Sequence, residues 1–177
     1  MRSAYKIYDN QGIYFITSTI IEWIPIFTSK KYFEILTSSM IYCQENKDLE
    51  IYAYVILDNH FHMICHGPEL SRTIQSLKRH TAKLIVTQLK EDNKTWILNL
   101  LSFYKKKHKL DSKHQIWQES MHPQQIISEN MFRQKVEYIH YNPVKRGLVT
   151  EPEHWNFSSA RIYNTDQNGL IKVQRIF

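Results

Sequence analysis

Asp58-Asn59-His60-Phe61-His62-Met63-Ile64 decides how this chain is read, because it follows directly on Ile51-Tyr52-Ala53-Tyr54-Val55-Ile56-Leu57. The earlier run is apolar, aromatic and β-branched, which predicts a strand. Asp58-Asn59 predicts a tight turn, and His60 to His66 a second strand of the same hairpin. Side chains alternate faces along a strand, so His60 and His62 share one face while Phe61, Met63 and Cys65 share the other. One side is rich in imidazole and its reverse belongs to a core. Neutral imidazoles are the commonest side-chain metal ligands, and a rigid strand fixes two of them at this spacing. Taken alone, a His-x-His pair is better explained as ordinary histidines beside a turn, so the rest of the chain must decide.

Upstream, Gly12 to Ile21 is dense in β-branched and aromatic residues and predicts a central strand buried on both faces. Pro25 interrupts it. Ser29 is placed to cap a helix running to about Asn46, with Phe33, Leu36, Met40 and Ile41 on its apolar side. Downstream, Gly67-Pro68 ends the second hairpin strand. A helix is expected from Leu70 to about Leu89, with Leu70, Ile74, Leu77, Thr81 and Leu84 as its stripe and Lys78, Arg79 and Lys83 on its flanks. Residues 91–115 read as a polar, lysine-rich insertion with one or two helical turns. Ile116 to Ile127 fits a fourth strand, which Pro123 would place at an edge. Ser128 or Asn130 can cap the next helix, with Phe132, Val136 and Ile139 at core spacing. A second row beside it carries Met131, Lys135, Tyr138 and Asn142. Tyr138 and Asn142 are four residues apart, so phenol and amide lie one turn from each other. Pro143 is expected to end the helix and leave the Asn142 amide at its terminus. The chain then turns back through Gly147, a last short helix opens over Trp155 to Arg161 with Trp155 in the core, and Ile171 to Phe177 forms a terminal strand or a packed tail.

This order predicts an α+β domain: a ferredoxin-like antiparallel sheet covered by helices, with a basic insertion and a C-terminal extension, its first and third strands central. One domain is expected over residues 1–177, with a core of about 8–163 and residues 164–177 as tail or extra strand.

The 177 residues carry a net charge of +6. Residues 101–150 hold nine Lys or Arg (Lys105, Lys106, Lys107, Lys109, Lys113, Arg133, Lys135, Lys145, Arg146) against four acids, a surplus of five. Phe103, Tyr104, Trp117, Tyr138 and Tyr141 interleave with them, a mixture suited to phosphates and to the ring faces of unpaired bases. The four glycines form no phosphate-cradling pattern, which argues against a nucleotide-cofactor fold. Cys43 and Cys65 have no framework spacing and suit a reducing compartment. Met1 to Lys6 lacks an apolar signal region and no apolar run approaches a membrane span. The expectation is a soluble cytoplasmic protein with no membrane partner.

Tyr54-Val-Ile-Leu-Asp-Asn-His60-Phe-His62-Met-Ile, then Ile116-Trp-Gln, then Tyr138-Ile-His-Tyr-Asn142-Pro-Val-Lys-Arg-Gly-Leu-Val closely resembles the REP-associated tyrosine transposases. These belong with the single-strand insertion-sequence transposases of the HUH endonuclease superfamily. The resemblance covers roughly residues 8–163 and rests on the order and spacing of all three motifs. It implies a DNA transposase and endonuclease that cleaves and rejoins single-stranded DNA beside hairpin (REP-like) sequences through a 5′-phosphotyrosine. Tyr138 matches the nucleophile. His60 and His62 match the ligands of a divalent ion, Mg2+ or Mn2+, and Asn142 stands where a third ligand is supplied. Many relatives carry Gln there; the amide oxygen of the shorter Asn can also ligate magnesium. Lys135, one turn before Tyr138, is the candidate to ease its deprotonation, whereas His140 and Tyr141 point elsewhere. Lys78, Arg79, Lys83, Lys105, Lys106, Lys107, Lys135, Lys145 and Arg146 are candidate phosphate contacts. Trp117 is a candidate base-stacking ring, or else packs under the last helix. The partner implied is single-stranded DNA with hairpin structure, bound by a monomer or a homodimer.

Two other readings stay open on the residues. A non-catalytic single-stranded nucleic-acid-binding module of the same fold would have no use for Tyr138 or for a metal. A metal-dependent hydrolase built on His60, His62 and His66 would use water as nucleophile, although His66 lies four residues beyond His62, a long reach along a strand for one ion.

Overall fold

In the computed structural model, which describes residues 7, 9–108, 112–165 and 167–176, the sheet forms first from β1 (Tyr14–Thr19), β2 (Glu50–Ile56) and β3 (His60–His66). With β4 (Gln124–Gln125) the order is β2-β3-β1-β4, all neighbours antiparallel, so the first and third strands are central as expected. The helices are α1 (Lys30–Asn46), α2 (Leu70–Glu91), α3 (Thr95–Phe103), α4 (Glu129–Lys145) and α5 (Ala160–Thr165), with 3-10 turns at Ile21–Trp23 and Pro152–His154. Among the described residues no helix is long and apolar enough to cross a membrane. Lys109, Asp111 and Phe177 fall outside the described residues.

Strand alternation divides the molecule. Phe61, Met63 and Cys65 of β3 join Tyr14 and Ile16 of β1 and the apolar stripes of α1 and α2 in the larger core. On the reverse face Phe15, Ala53, Val55 and Ile64 meet Phe132, Val136 and Ile139 of α4. The sheet is therefore a partition: α1 and α2 on one side, α4 on the other, and the even positions of β3 face α4.

Several expectations are corrected. Leu84 is 39 % exposed and Ile85 takes its place in the α2 stripe, because 81 and 85 are spaced four apart on a face that 84 leaves. The fourth strand shrinks to two residues. The preceding segment lies along the β1 edge through single bonds, Thr17 N to Met121 O and Gln118 N to Thr19 O, with an isolated bridge of Ile20 to Trp117. Pro143 does not end α4. Its missing N–H leaves the Ile139 carbonyl without its helical donor, yet the helix continues to Lys145 and closes with Leu148 N to Pro143 O and Gly147 N to Val144 O, Gly147 taking φ +69°. That is a Schellman end, and its left-handed residue suits glycine. Asn142 is consequently buried inside the helix and is not at its terminus. The last helix starts at Ala160, not Trp155. Residues 157–159 instead bond along the free edge of β2, through Ile56 N to Phe157 O and Ser159 N to Tyr54 O, while the partly buried Trp155 donates its Nε1–H to Ile56 O at 2.9 Å. Such cover removes an open edge. The C-terminal segment is a packed tail: Ile171 is fully buried and Gln174 N bonds Ile51 O.

Candidate active site

β3 sets His60 and His62 on the α4 face, and α4 sets Tyr138 and Asn142 over them from the row beside its core stripe. Ser128 caps that helix, its side chain accepting from Met131 N at 3.2 Å, which fixes the helical register. A recess of about 360 Å³ results, lined by Thr17, Trp23, Asn59, His60, His62, Tyr138, Asn142 and Arg146. The rings run in sequence across it. Trp23 lies 6.1 Å from His60 between centroids, His60 4.8 Å from His62, and His62 5.2 Å from Tyr138. Phe15 stacks on His62 at 5.4 Å and meets Tyr138 edge-on at 5.9 Å, forming the floor under both. Tyr138 is 41 % exposed, so its phenol is open to a substrate.

Each imidazole is held through Nδ1. The Asn59 amide donates Nδ2–H to Trp23 O at 3.0 Å, which turns Oδ1 toward His60 Nδ1 at 2.7 Å. An amide oxygen only accepts, so His60 carries its proton on Nδ1 and offers a bare Nε2. His62 Nδ1 shares a 2.7 Å hydrogen bond with Thr17 Oγ1, its direct partner across the β1–β3 ladder. His62 Nε2 is buried with no hydrogen-bond partner among the described residues. Buried nitrogens are ordinarily paired, so this one is conspicuous. Burial pushes the His60 pKa down to about 4, with Arg146 adding to the shift and Asp58 opposing it. Burial first, then His60 and Lys135, push His62 to about 3. Both rings are neutral near pH 7, the state in which an imidazole binds a metal.

Among the described residues no group of three or more His, Cys, Asp or Glu could hold a metal, so a third protein donor to the histidine pair would come from another residue type. Asn142, buried in the same recess, fits that role, and the orphaned His62 Nε2 fits a ligand. Two imidazoles and an amide are all neutral, a set that holds a hard cation weakly. His66 does not join them: it sits at the far end of β3, bonded to Gly12 O at 3.1 Å.

The other sequence candidates divide. Lys135 Nζ lies 4.5 Å over the Phe15 ring and Lys145 Nζ 5.8 Å over Tyr138, so two ammonium groups border the recess. Arg146 reaches it too, paired with Asp58 at 2.8 Å. Arg79, Lys83 and Lys78 line a larger groove of about 1280 Å³ on the opposite, α2 side of the sheet, together with Lys90 and Lys113. Lys78 Nζ also donates to Gln118 O at 2.6 Å and so braces the segment on the β1 edge. Lys105, Lys106 and Lys107 line neither space, and Lys106 pairs with Glu119 at 2.9 Å. Trp117 is corrected: at 5 % exposure, with its Nε1–H given to Thr81 Oγ1 and its ring against Phe27 and Phe61, it has no face for a base. Nor does it pack under the last helix; it belongs to the α1–α2 core. His140 is buried against Ser159 and Tyr163 on the back of α4.

Thr17, Asn59 and Trp23 were not found from sequence. Asn59 adjoins His60, and an amide beside an imidazole is a signal that could have been read. Thr17 needs the β1–β3 register. Trp23 lies in an irregular turn that periodicity does not describe.

No family model matches the chain. Among curated proteins, the REP-associated tyrosine transposase of Escherichia coli is 27 % identical over 127 residues, which is 72 % of this chain and 64 % of that protein. A putative REP-associated tyrosine transposase of Haemophilus influenzae is 25 % identical over 168 residues, 89 % of this chain and 88 % of the relative. The chain is similar to REP-associated tyrosine transposases. Its match spans less than two thirds of the E. coli protein's length. A solved REP-associated tyrosine transposase bound to a REP hairpin superimposes with a TM-score of 0.70 at 21 % identity, covering all of this chain and 94 % of the other. That likeness shows the shared α+β fold of the REP-associated tyrosine transposases.

Proposed function

We propose that the chain cuts and rejoins single-stranded DNA beside a hairpin, with Tyr138 as nucleophile and a Mg2+ or Mn2+ ion held by His60, His62 and Asn142. The observation that carries the reading is the buried, partnerless His62 Nε2 beside an exposed tyrosine in one recess. The names of the relatives support it.

The Tyr138 oxygen attacks the scissile phosphorus in line; the new O–P bond forms as the P–O3′ bond breaks. The phenolic proton leaves, the departing 3′-oxygen takes one up, and the 5′-phosphate stays on the tyrosine. A free 3′-hydroxyl reverses the exchange, so rejoining needs no ATP. A free phenol has a pKa of about 10 and is a weak nucleophile near neutrality. The bound ion would supply Lewis-acid neutralisation of charge on the phosphate oxygens. Lys135, Lys145 and Arg146 add positive potential at the mouth and draw the phosphate in. On the other face, Arg79, Lys83 and Lys90 lie on one side of α2 and span about 16 Å at 1.5 Å per residue, enough to follow a nucleic-acid backbone over several nucleotides.

The test is a denaturing gel of the protein mixed with labelled single strands carrying REP-like hairpins, with Mg2+ or Mn2+, with EDTA, and with Tyr138→Phe. A metal-dependent covalent band absent from the variant is expected. Cleavage without an adduct would favour water as nucleophile, and binding indifferent to EDTA and to the variant would favour a non-catalytic module.

A further inference from the structure

Glu22 and Trp23 both take left-handed backbone angles, φ 49° and 56°, in the turn that follows β1. Two consecutive non-glycine residues in that region are uncommon, and such strain collects where function requires it. Its product here is a tryptophan that is 58 % exposed, one of the largest apolar rings left outside either core. The turn is firmly held. Ile20 N bonds Asn59 O, Ile21 N bonds Ile116 O, Ile26 N and Phe27 N both bond Asp58 O, and the Trp23 carbonyl accepts from the Asn59 amide. A ring exposed by a rigid frame is preorganised for a ligand.

Trp23 and Tyr138 lie at opposite ends of the histidine pair, in the order Trp23, His60, His62, Tyr138. Under the proposed chemistry the phosphate undergoing exchange sits at the histidines. In-line displacement then sends the leaving 3′-oxygen away from Tyr138, toward Trp23. The nucleotide there is the one immediately 5′ of the break. Its base is flat and unpaired, and an exposed indole is suited to stack on it without regard to sequence.

We propose that Trp23 is a base-stacking platform for the nucleotide on the 5′ side of the break, which keeps the released 3′-hydroxyl in the recess for rejoining. This rests on the proposed role of Tyr138 for its polarity, but a stacking site for a single-stranded base can be measured without any cleavage.

The experiment uses full-length Tyr138→Phe protein, with Trp23 intact or changed to Ala or Phe, and the hairpin-bearing single strand that the parent binds. An abasic site is moved one nucleotide at a time along the strand and affinity is read by fluorescence anisotropy. Trp23→Ala is expected to weaken binding of the full strand about tenfold, with Phe recovering most of it. One abasic position should produce the same loss in the Trp23 protein and no further loss in the Ala variant. Where the parent forms an adduct, that position must be the nucleotide 5′ of the mapped break, and Trp23→Ala must slow rejoining more than cleavage. Affinity within twofold of the intact protein, or losses from Ala and from every abasic site that simply multiply, overturns the platform. Coupling that maps 3′ of the break overturns its polarity. If the parent forms no adduct, the transesterification reading fails by itself, and the coupling still decides whether Trp23 binds a base. Unchanged melting of the Ala variant confirms that the loss is not unfolding.

Discussion

Replacing Thr17 by Val removes one hydroxyl and keeps the branched shape of a β1 residue, so it isolates the 2.7 Å bond to His62 Nδ1. His62 is 4 % exposed and burial disfavours its charged form, so the ring cannot compensate by protonating. Leaving Nδ1 unpaired costs on the order of 1–2 kcal/mol. For a chain of this size that lowers Tm by about 2–8 °C. The second effect falls on the ligand. With Nδ1 unsatisfied, the ring is free to flip or to change tautomer, and loss of such a supporting contact typically weakens metal binding about 10- to 100-fold. Mn2+ titration followed by electron paramagnetic resonance, on protein alone and with a hairpin strand, reads the affinity; thermal melting reads the stability. Thr17→Ser retains the hydroxyl and should stay within about threefold of the parent in Mn2+ affinity. A Val variant that melts lower but binds Mn2+ as the parent does would refute the claim that Thr17 aims His62. A parent that binds no Mn2+ even with DNA would refute the metal assignment itself.

The remaining expectations are simpler to test. His60, His62 and His140 all have folded pKa values below the unfolded value of about 6.5, His140 at about 4 through burial alone. The unfolded chain therefore binds more protons on acidification, and denaturant stability should hold above pH 6.5 and fall between pH 6.5 and about 3; a flat profile there would contradict the buried, neutral state. His66→Ala should leave Mn2+ affinity unchanged, since that ring serves Gly12 at the other end of the strand; a tenfold loss would revive a three-histidine centre. Trp117→Ala should destabilise the fold by about 3–5 kcal/mol and act through stability alone, whereas a soluble, stable variant defective only in DNA binding would restore its role as a base contact. Gly147→Ala meets no neighbouring atom yet must hold φ +69°, so a loss of about 1 kcal/mol in denaturant unfolding is expected, against none if the Schellman end can relax.

The parts legible in the sequence are those set by local periodicity. Alternation along β3 put His60 and His62 together, a four-residue step put Tyr138 with Asn142, and the strand and helix order then required that α4 cover one face. Residues that depend on pairing between distant segments were not legible. Thr17 supports His62 only because β1 and β3 adopt one register, and Trp23 is exposed only because a turn pinned to the β2–β3 loop accepts left-handed geometry. Trp117 misled for a related reason: its basic neighbourhood along the chain is not its neighbourhood in space, where it faces Phe27, Phe61 and Thr81. Pro143 misled because the bias against helix before proline is a local preference, and burial of Ile139, Asn142 and Pro143 in the folded domain outweighs it.

The back of α4 carries a further consequence. His140 bonds Ser159 Oγ at 2.9 Å, and Ser159 in turn holds the backbone of Tyr54 on the sheet, receiving its N–H at 3.0 Å. The helix that bears the tyrosine is thus moored to the same sheet that bears the histidines, two residues from Tyr138 itself. Under the proposed chemistry, a DNA end joined to Tyr138 would be on a short leash, tied through that relay to the sheet that carries the histidines. Choice between rejoining the old strand and accepting a new one would then turn on which 3′ end occupies the open mouth.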